Sequence, residues 1–204
     1  MTRTHTARDE SADTEGADPP EPPEPDPSPT RPSDGTTPKR RASDPGARHI
    51  AVDLIDTTRT LDVRRQAALR ENVSRAASHA GAIAGELRLK LIDDDAMSAA
   101  HAEHCGEPGT TDVITFNMTD DGETTLDADL LLCVDEAQRH SRERGHDLVR
   151  ELTLYALHGA LHCLGEDDAD ESGYDQMHAR EDEILRAICI GATFDATRRD
   201  GDAS

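Results

Sequence analysis

From His49 onward, apolar positions recur with two different periods, and the switches between them predict the elements. HIAVDLID (His49 to Asp56) alternates apolar and polar side chains, as a strand does when every second residue faces a core. Leu61, Ala68, Val73 and Ala77 then follow helical spacing, and Gly81 closes that helix. GELRLKLID (Gly85 to Asp93) alternates through Leu87, Leu89 and Leu91 and reads as a half-buried strand. DDDAMSAAHAEHCG starts with the acidic residues that a helix N-terminus favours and runs out at Gly106. TDVITFNM is β-branched and aromatic, a strand signal, and DDG turns the chain after it. The apolar run Leu130 to Val134 predicts a short strand covered on both faces, passing through Asp135 into a polar helix that ends at Gly145. HDLVRELTLYALHGALHCLG is apolar almost all round and predicts the central helix. An amphipathic helix over roughly Ser172 to Cys189, with Met177, Ile184, Leu185 and Ile188, ends the pattern. Strands and helices interleave, which favours an α/β or α+β sandwich around a small mixed sheet.

Composition changes the picture at the ends of the chain. Residues 1–48 hold ten of the eleven prolines and runs such as ADPPEPPEPDPSP. Such a segment buries too little apolar surface to offset its ordering entropy and is expected to be a disordered tail. It lacks the apolar stretch of a signal peptide and is too acidic for a transit peptide. PKRR, at Pro38 to Arg41, reads as a solvated charge cluster. The expected organisation is therefore a tail over 1–48, a domain over 49–190 and a flexible C-terminal segment over 191–204.

The chain carries 43 acidic against 22 basic residues, a formal charge of −21, and all but −3 of it lies beyond residue 48. Tight non-specific nucleic-acid binding draws most of its affinity from neutralised phosphates, and this balance opposes it. Cys105, Cys133, Cys163 and Cys189 are widely spaced without a CxxC pair. They read as reduced thiols of a cytoplasmic protein with no disulfide-linked partner. No apolar run approaches the ~18 residues of a membrane span.

The candidate chemistry lies in HGALHCLGEDD, His158 to Asp168. Four residues on a helix turn through about 400°, so the imidazoles of His158 and His162 share one face and can reach one ion. Gly165 suits the left-handed conformation that ends a helix and throws Glu166, Asp167 and Asp168 back toward that face. A third ligand from this turn leaves one coordination position open, as a catalytic zinc site requires. The residue after the first histidine is Gly159, where a HExxH metalloprotease has its glutamate base, so proteolysis is the minor reading. A glycine inside a buried helix predicts close approach by a neighbouring backbone. Glu151 shares the histidine face but sits about 10 Å up the axis, as an outer-sphere or structural carboxylate.

Three segments, in order, resemble the YbeY family of rRNA maturation factors and single-strand-specific endoribonucleases. TTDVITFNM is similar to the family's TDVLSF stretch, ADLLLCVDEA to its GD-x-x-I-x-x-D stretch, and RELTLYALHGALHCLGEDD to its REL…HGxLHLxGYDH signature. The match runs from about Ile50 to Leu185. The resemblance implies an α+β fold: a small mixed four-stranded sheet packed with helices, the central one carrying the HxxxH motif. It implies one Zn2+ per chain and hydrolysis of RNA phosphodiesters in 16S rRNA 3′-end maturation and ribosome quality control. The implied partners are ribosomal RNA, the small ribosomal subunit and ribosomal proteins. By position the metal ligands are His158, His162 and Asp168, with aspartate where the family has a third histidine. The family's arginine and asparagine, upstream of the TDV segment, fall on Cys105 and His101, with His104 close by. That departure admits a second reading, an assembly factor that keeps the fold and the metal with weak or no nuclease activity.

Overall fold

A computed structural model of the chain describes residues 49–194, apart from 121 and 123. The expected N-terminal tail and the PKRR cluster lie outside the described residues, as does the C-terminal segment beyond 194. The chain runs β1 (His49–Asp56), α1 (Val63–Ala80), β2 (Ala84–Ile92), α2 (Asp94–His104), β3 (Val113–Asn117), β4 (Thr125–Cys133), α3 (Val134–Arg144), α4 (Leu148–Cys163) and α5 (Glu171–Ala187). The strands form one sheet in the order β1-β2-β4-β3, with β1, β2 and β4 parallel and β3 antiparallel to β4. This is the α+β architecture with a mixed four-stranded sheet that the sequence implied.

Two elements depart from the local reading. β4 starts at Thr125, five residues before the apolar run, because the sheet tolerates polar side chains on its open face. Leu126, Ala128, Leu130 and Leu132 point into the core, while Asp127 and Asp129 stand on the other side. There Arg88 of β2 donates to Asp127 at 2.6 Å and to Asp129, its cross-strand neighbour. Such opposite-charge pairs across strands stabilise a sheet that a hydrophobicity pattern alone would cut short. Val134, expected to end the strand, opens α3. The buried face of α1 runs through Leu69, Val73, Ala76 and Ala77, and Ala68 is exposed. The helix starts at Val63 under the cap of Asp62, whose carboxylate accepts the Arg65 N–H; Leu61, Val73 and Ala77 are buried as expected, and Leu69 takes the place expected for Ala68.

One face of the sheet, carrying Leu87, Leu89 and Leu91 of β2 and the inward residues of β4, builds the main core with α1, α4 and α5. α2 caps the other face at the strand ends through Ile92, Met97, Ile114 and Cys133. The end of β4 is thereby covered on both sides, as its apolar run predicted. Asp135, within the GD-x-x-I-x-x-D-like stretch, accepts the Asp94 N–H at 2.9 Å and pins the start of α2.

α4 is the central helix: it packs against β3, β4, α1, α3 and α5, and twelve of its sixteen residues are buried. Gly159 is where it meets the sheet. A Cβ there would come 2.4 Å from Leu130 Cδ2 and 2.5 Å from Thr115 Oγ1. The close approach is therefore by side chains of β4 and β3 and not, as expected, by a neighbouring backbone. Gly159→Ala is expected to destabilise the protein by about 1–3 kcal/mol, an overpacking cost, readable in urea denaturation. An unchanged midpoint would mean that Leu130 and Thr115 yield freely.

Candidate metal centre

α4 delivers both histidines near its C-terminus, and the following turn returns the third group. Leu164 ends the helix and Gly165 adopts φ +93°, where side-chain-bearing residues are strained. The Gly165 N–H donates to His162 O and the Glu166 N–H to Leu161 O, both at 3.0 Å, so the reversal is hydrogen-bonded in place. The three acidic residues of this turn take different tasks. Glu166 offers its backbone carbonyl to His162, Asp167 accepts the Ala169 N–H at 3.2 Å, and Asp168 faces the histidines. Asp170 then caps α5 by accepting the Gly173 N–H at 2.7 Å.

The donor atoms converge. His158 Nε2 and His162 Nε2 are 3.1 Å apart, and the Asp168 carboxylate lies 3.7 Å from the first and 3.6 Å from the second. One donor atom from each of these three residues lies within 4.8 Å of the other two, a spacing at which they could hold a metal ion. The other ring nitrogens set the protonation. His162 Nδ1 donates to the Glu166 carbonyl at 3.0 Å, an acceptor only, and His158 Nδ1 donates to Glu181 Oε1 at 2.8 Å. With both Nδ1 atoms donating outward, the two Nε2 atoms and a carboxylate face one locus, an arrangement that could hold a cation.

Glu181, on α5, is 1% exposed and was not found from the sequence. Its signal was an acidic residue, beside Asp182, on the buried side of an amphipathic helix, meaningful only once α5 is laid against α4. Burial would by itself lower the His158 imidazole. The hydrogen bond and charge of Glu181, joined by Asp112 and Asp168, outweigh it and hold the group above its ordinary value of 6.5. Cys163 lines the same cleft, but burial pushes its thiol up to about 11, so at neutral pH it stays protonated and is a poor ligand.

The site opens on a cleft with two lobes that share His158 and Asp112. One lobe, about 390 Å³, runs along β3 past Thr111, Val113, Thr115 and Asn117, placing the TDV segment beside the histidines. The other, about 260 Å³, lies toward α3 and α5. Neither lobe is lined by Cys105, His101 or His104. Cys105 is exposed at the end of α2, His101 bonds to the Gly109 carbonyl at 3.0 Å, and His104 sets its ring against Phe116. The arginine that does line the cleft is Arg144 of α3. Glu151 is likewise away from the centre, fully buried between Arg144 and His146, and so is the structural carboxylate of the two alternatives.

A family model described as endoribonuclease YbeY matches residues 52–189. A protein named endoribonuclease YbeY from Acidothermus cellulolyticus is 33% identical over 153 residues, 69% of this chain and 88% of the relative. One of the same name from Deinococcus radiodurans is 35% identical over 136 residues, 64% of this chain and 87% of the relative. A third, from Macrococcus caseolyticus, is 31% identical, covering 68% of this chain and 96% of the relative. A solution structure from Thermotoga maritima aligns with a TM-score of 0.46 at 17% identity, over 68% of this chain and 90% of that one.

Proposed function

The chain belongs to the YbeY endoribonuclease family, and from that premise we propose that it is a metal-dependent, single-strand-specific endoribonuclease of ribosomal RNA maturation and ribosome quality control. Its ligands are His158, His162 and Asp168, its metal one Zn2+ per chain, and its working unit residues 49–190, placed in the cytoplasm with ribosomal RNA and the small ribosomal subunit as partners. One observation carries the reading: two imidazole lone pairs and a carboxylate converge at the centre of a cleft that the TDV strand also lines. An N,N,O set of this kind suits zinc and leaves a position open for substrate. When bound, such an ion supplies Lewis acidity that activates water near neutral pH and stabilises charge on a phosphoryl oxygen. Asp168 in place of a neutral histidine lowers the net positive charge at the centre, so water there is activated less strongly.

The residues of the chain do the rest. Glu181 and the Glu166 carbonyl fix both rings with Nε2 inward, so ligand geometry is set before any ion arrives. No helix among the described residues is long and apolar enough to cross a membrane.

The test is incubation of metal-loaded protein with ribosomal precursor RNA. Cleavage that is lost in His158→Ala supports the nuclease. Metal bound at these residues without cleavage would support the assembly-factor reading, which is favoured by Arg144 being engaged by Glu151 instead of free for phosphate. Glu181→Gln keeps the shape of the side chain but removes the charge beside His158. It is expected to weaken metal affinity about 10- to 100-fold in a competition titration with a chelator, and an unchanged affinity would reduce Glu181 to packing.

A further inference from the structure

Beside the histidine pair the cleft changes character. The lobe toward α5 is lined by Tyr155, Tyr174, His178, Phe194 and Arg144. The chain has only two tyrosines, two phenylalanines and no tryptophan, so three of its four large aromatic residues stand in this one small space. They are ordered as a run of flat groups. Tyr174 and His178, one turn apart on α5, lie tilted together with ring centroids 4.0 Å apart. Phe194 meets His178 edge-on at 3.8 Å, and the Arg144 guanidinium sits 5.2 Å over the Phe194 ring. Both ends are held. The Asp182 carboxylate accepts the Thr193 N–H at 2.5 Å and the Phe194 N–H at 2.9 Å, fastening the segment after α5, while Glu151 fixes Arg144.

Core packing does not account for the outer member of this run. Tyr155 is 2% exposed, whereas Tyr174 is 52% exposed at the mouth of the lobe that contains His158 and Asp168. Electrostatics narrows what would lie on it. The cleft presents Asp112, Asp168 and Glu181, and the chain carries −21 overall, so phosphate neutralisation is a weak source of affinity here. Stacking of a base on an aromatic ring does not depend on that charge and tolerates any sequence. A base held in a duplex cannot offer its face, so a stacking site selects single strands.

We propose that this lobe is a nucleobase subsite, in which an unstacked base of single-stranded RNA lies against the exposed ring of Tyr174 beside the His158–His162–Asp168 centre. The assignment rests on the reading of the chain as an RNA-acting enzyme, and it names what holds the RNA where the family's arginine is missing.

The experiment is fluorescence titration of metal-free full-length protein into a six-nucleotide single-stranded RNA with one 2-aminopurine, and into the same RNA with an abasic ribose there and a distal fluorophore. Wild type and Tyr174→Phe are expected to quench the 2-aminopurine and to bind within about twofold of each other. Tyr174→Ala is expected to bind about 5- to 150-fold more weakly, the range for loss of one stacked base. The abasic RNA should bind wild type about as weakly as the intact RNA binds Tyr174→Ala. Phe194→Ala, which removes support from behind the stack, should weaken the intact RNA and leave the abasic one unchanged. Equal affinity of wild type and Tyr174→Ala, with unchanged circular dichroism, would overturn the subsite, and so would equal affinity for intact and abasic RNA. The parent reading is tested apart, by cleavage with metal present. Cleavage by wild type together with Tyr174-independent binding would sink the subsite alone. Tyr174-dependent binding without cleavage would sink the nuclease reading and keep the base site.

Discussion

Replacing His158 and His162 together by alanine is expected to reduce bound metal to background and to lower RNA cleavage by about 10³-fold, with the fold retained. The rate estimate follows from the several kcal/mol that a Lewis-acidic ion contributes at a phosphoryl centre. Retention of the fold follows from position: the two side chains are 23% and 33% exposed and line a cleft, so truncation enlarges a solvent-accessible space and opens no sealed cavity. Metal analysis after dialysis is the direct measurement, and metal content unchanged by the double substitution would end the proposal. Acidification should act in the same direction. The proton on His158, held above the ordinary imidazole value, must leave before Nε2 can bind an ion, so metal affinity falls as pH drops through that raised pKa. The metal-free protein has the opposite dependence. Its stabilisation by protonated His158 beside Glu181 is full below pH 6.5, the ordinary value, and is lost as pH rises through the folded value. Metal-loaded and metal-free melting temperatures should therefore converge on acidification.

Glu151→Ala is expected to cost about 3 kcal/mol of stability, the lower end of what breaking a buried ion pair costs, because Arg144 keeps roughly a third of its surface in water. The carboxylate is fully buried and accepts from Arg144 at 2.5 Å and from His146, tying the end of α3 and the loop after it to the first turn of α4. Its loss leaves His146 buried without its acceptor, a cost that methyl packing does not recover. For a domain of this size the melting temperature should fall by about 6–12 °C. Arg144 also stacks on Phe194, so the same substitution should loosen the aromatic lobe and raise KM for RNA at temperatures where the protein stays folded. A melting temperature within about 1 °C of wild type would show that the pair contributes nothing net, as many ion pairs do.

How far such sites are legible in the chain differs from residue to residue. His158 and His162 are legible because 3.6 residues per turn puts i and i+4 on one face whatever surrounds the helix. Gly165 is legible because the reversal after α4 needs φ +93°, which few other residues adopt. Ambiguity begins one residue later. Glu166, Asp167 and Asp168 have similar chemistry, and their division among a carbonyl acceptor, a turn cap and a facing carboxylate depends on how close α5 comes. At Gly173, which leaves no room for a Cβ 2.5 Å from the Asp167 carbonyl, that contact is made.

Short-range patterning therefore suffices for the class of fold, the central helix and the pair of histidines, since each depends on periods of two or 3.6 along one segment. The extension of β4 beyond its apolar run is supported by Arg88, 41 residues from Asp129 in sequence and opposite it in the sheet. Glu181 beside His158, Glu151 between Arg144 and His146, and Tyr174 in line with Phe194 and Arg144 are likewise products of packing. A buried charge or a half-exposed ring acquires its role from whichever element lies across from it, and that neighbour is chosen by the closing of the core around α4.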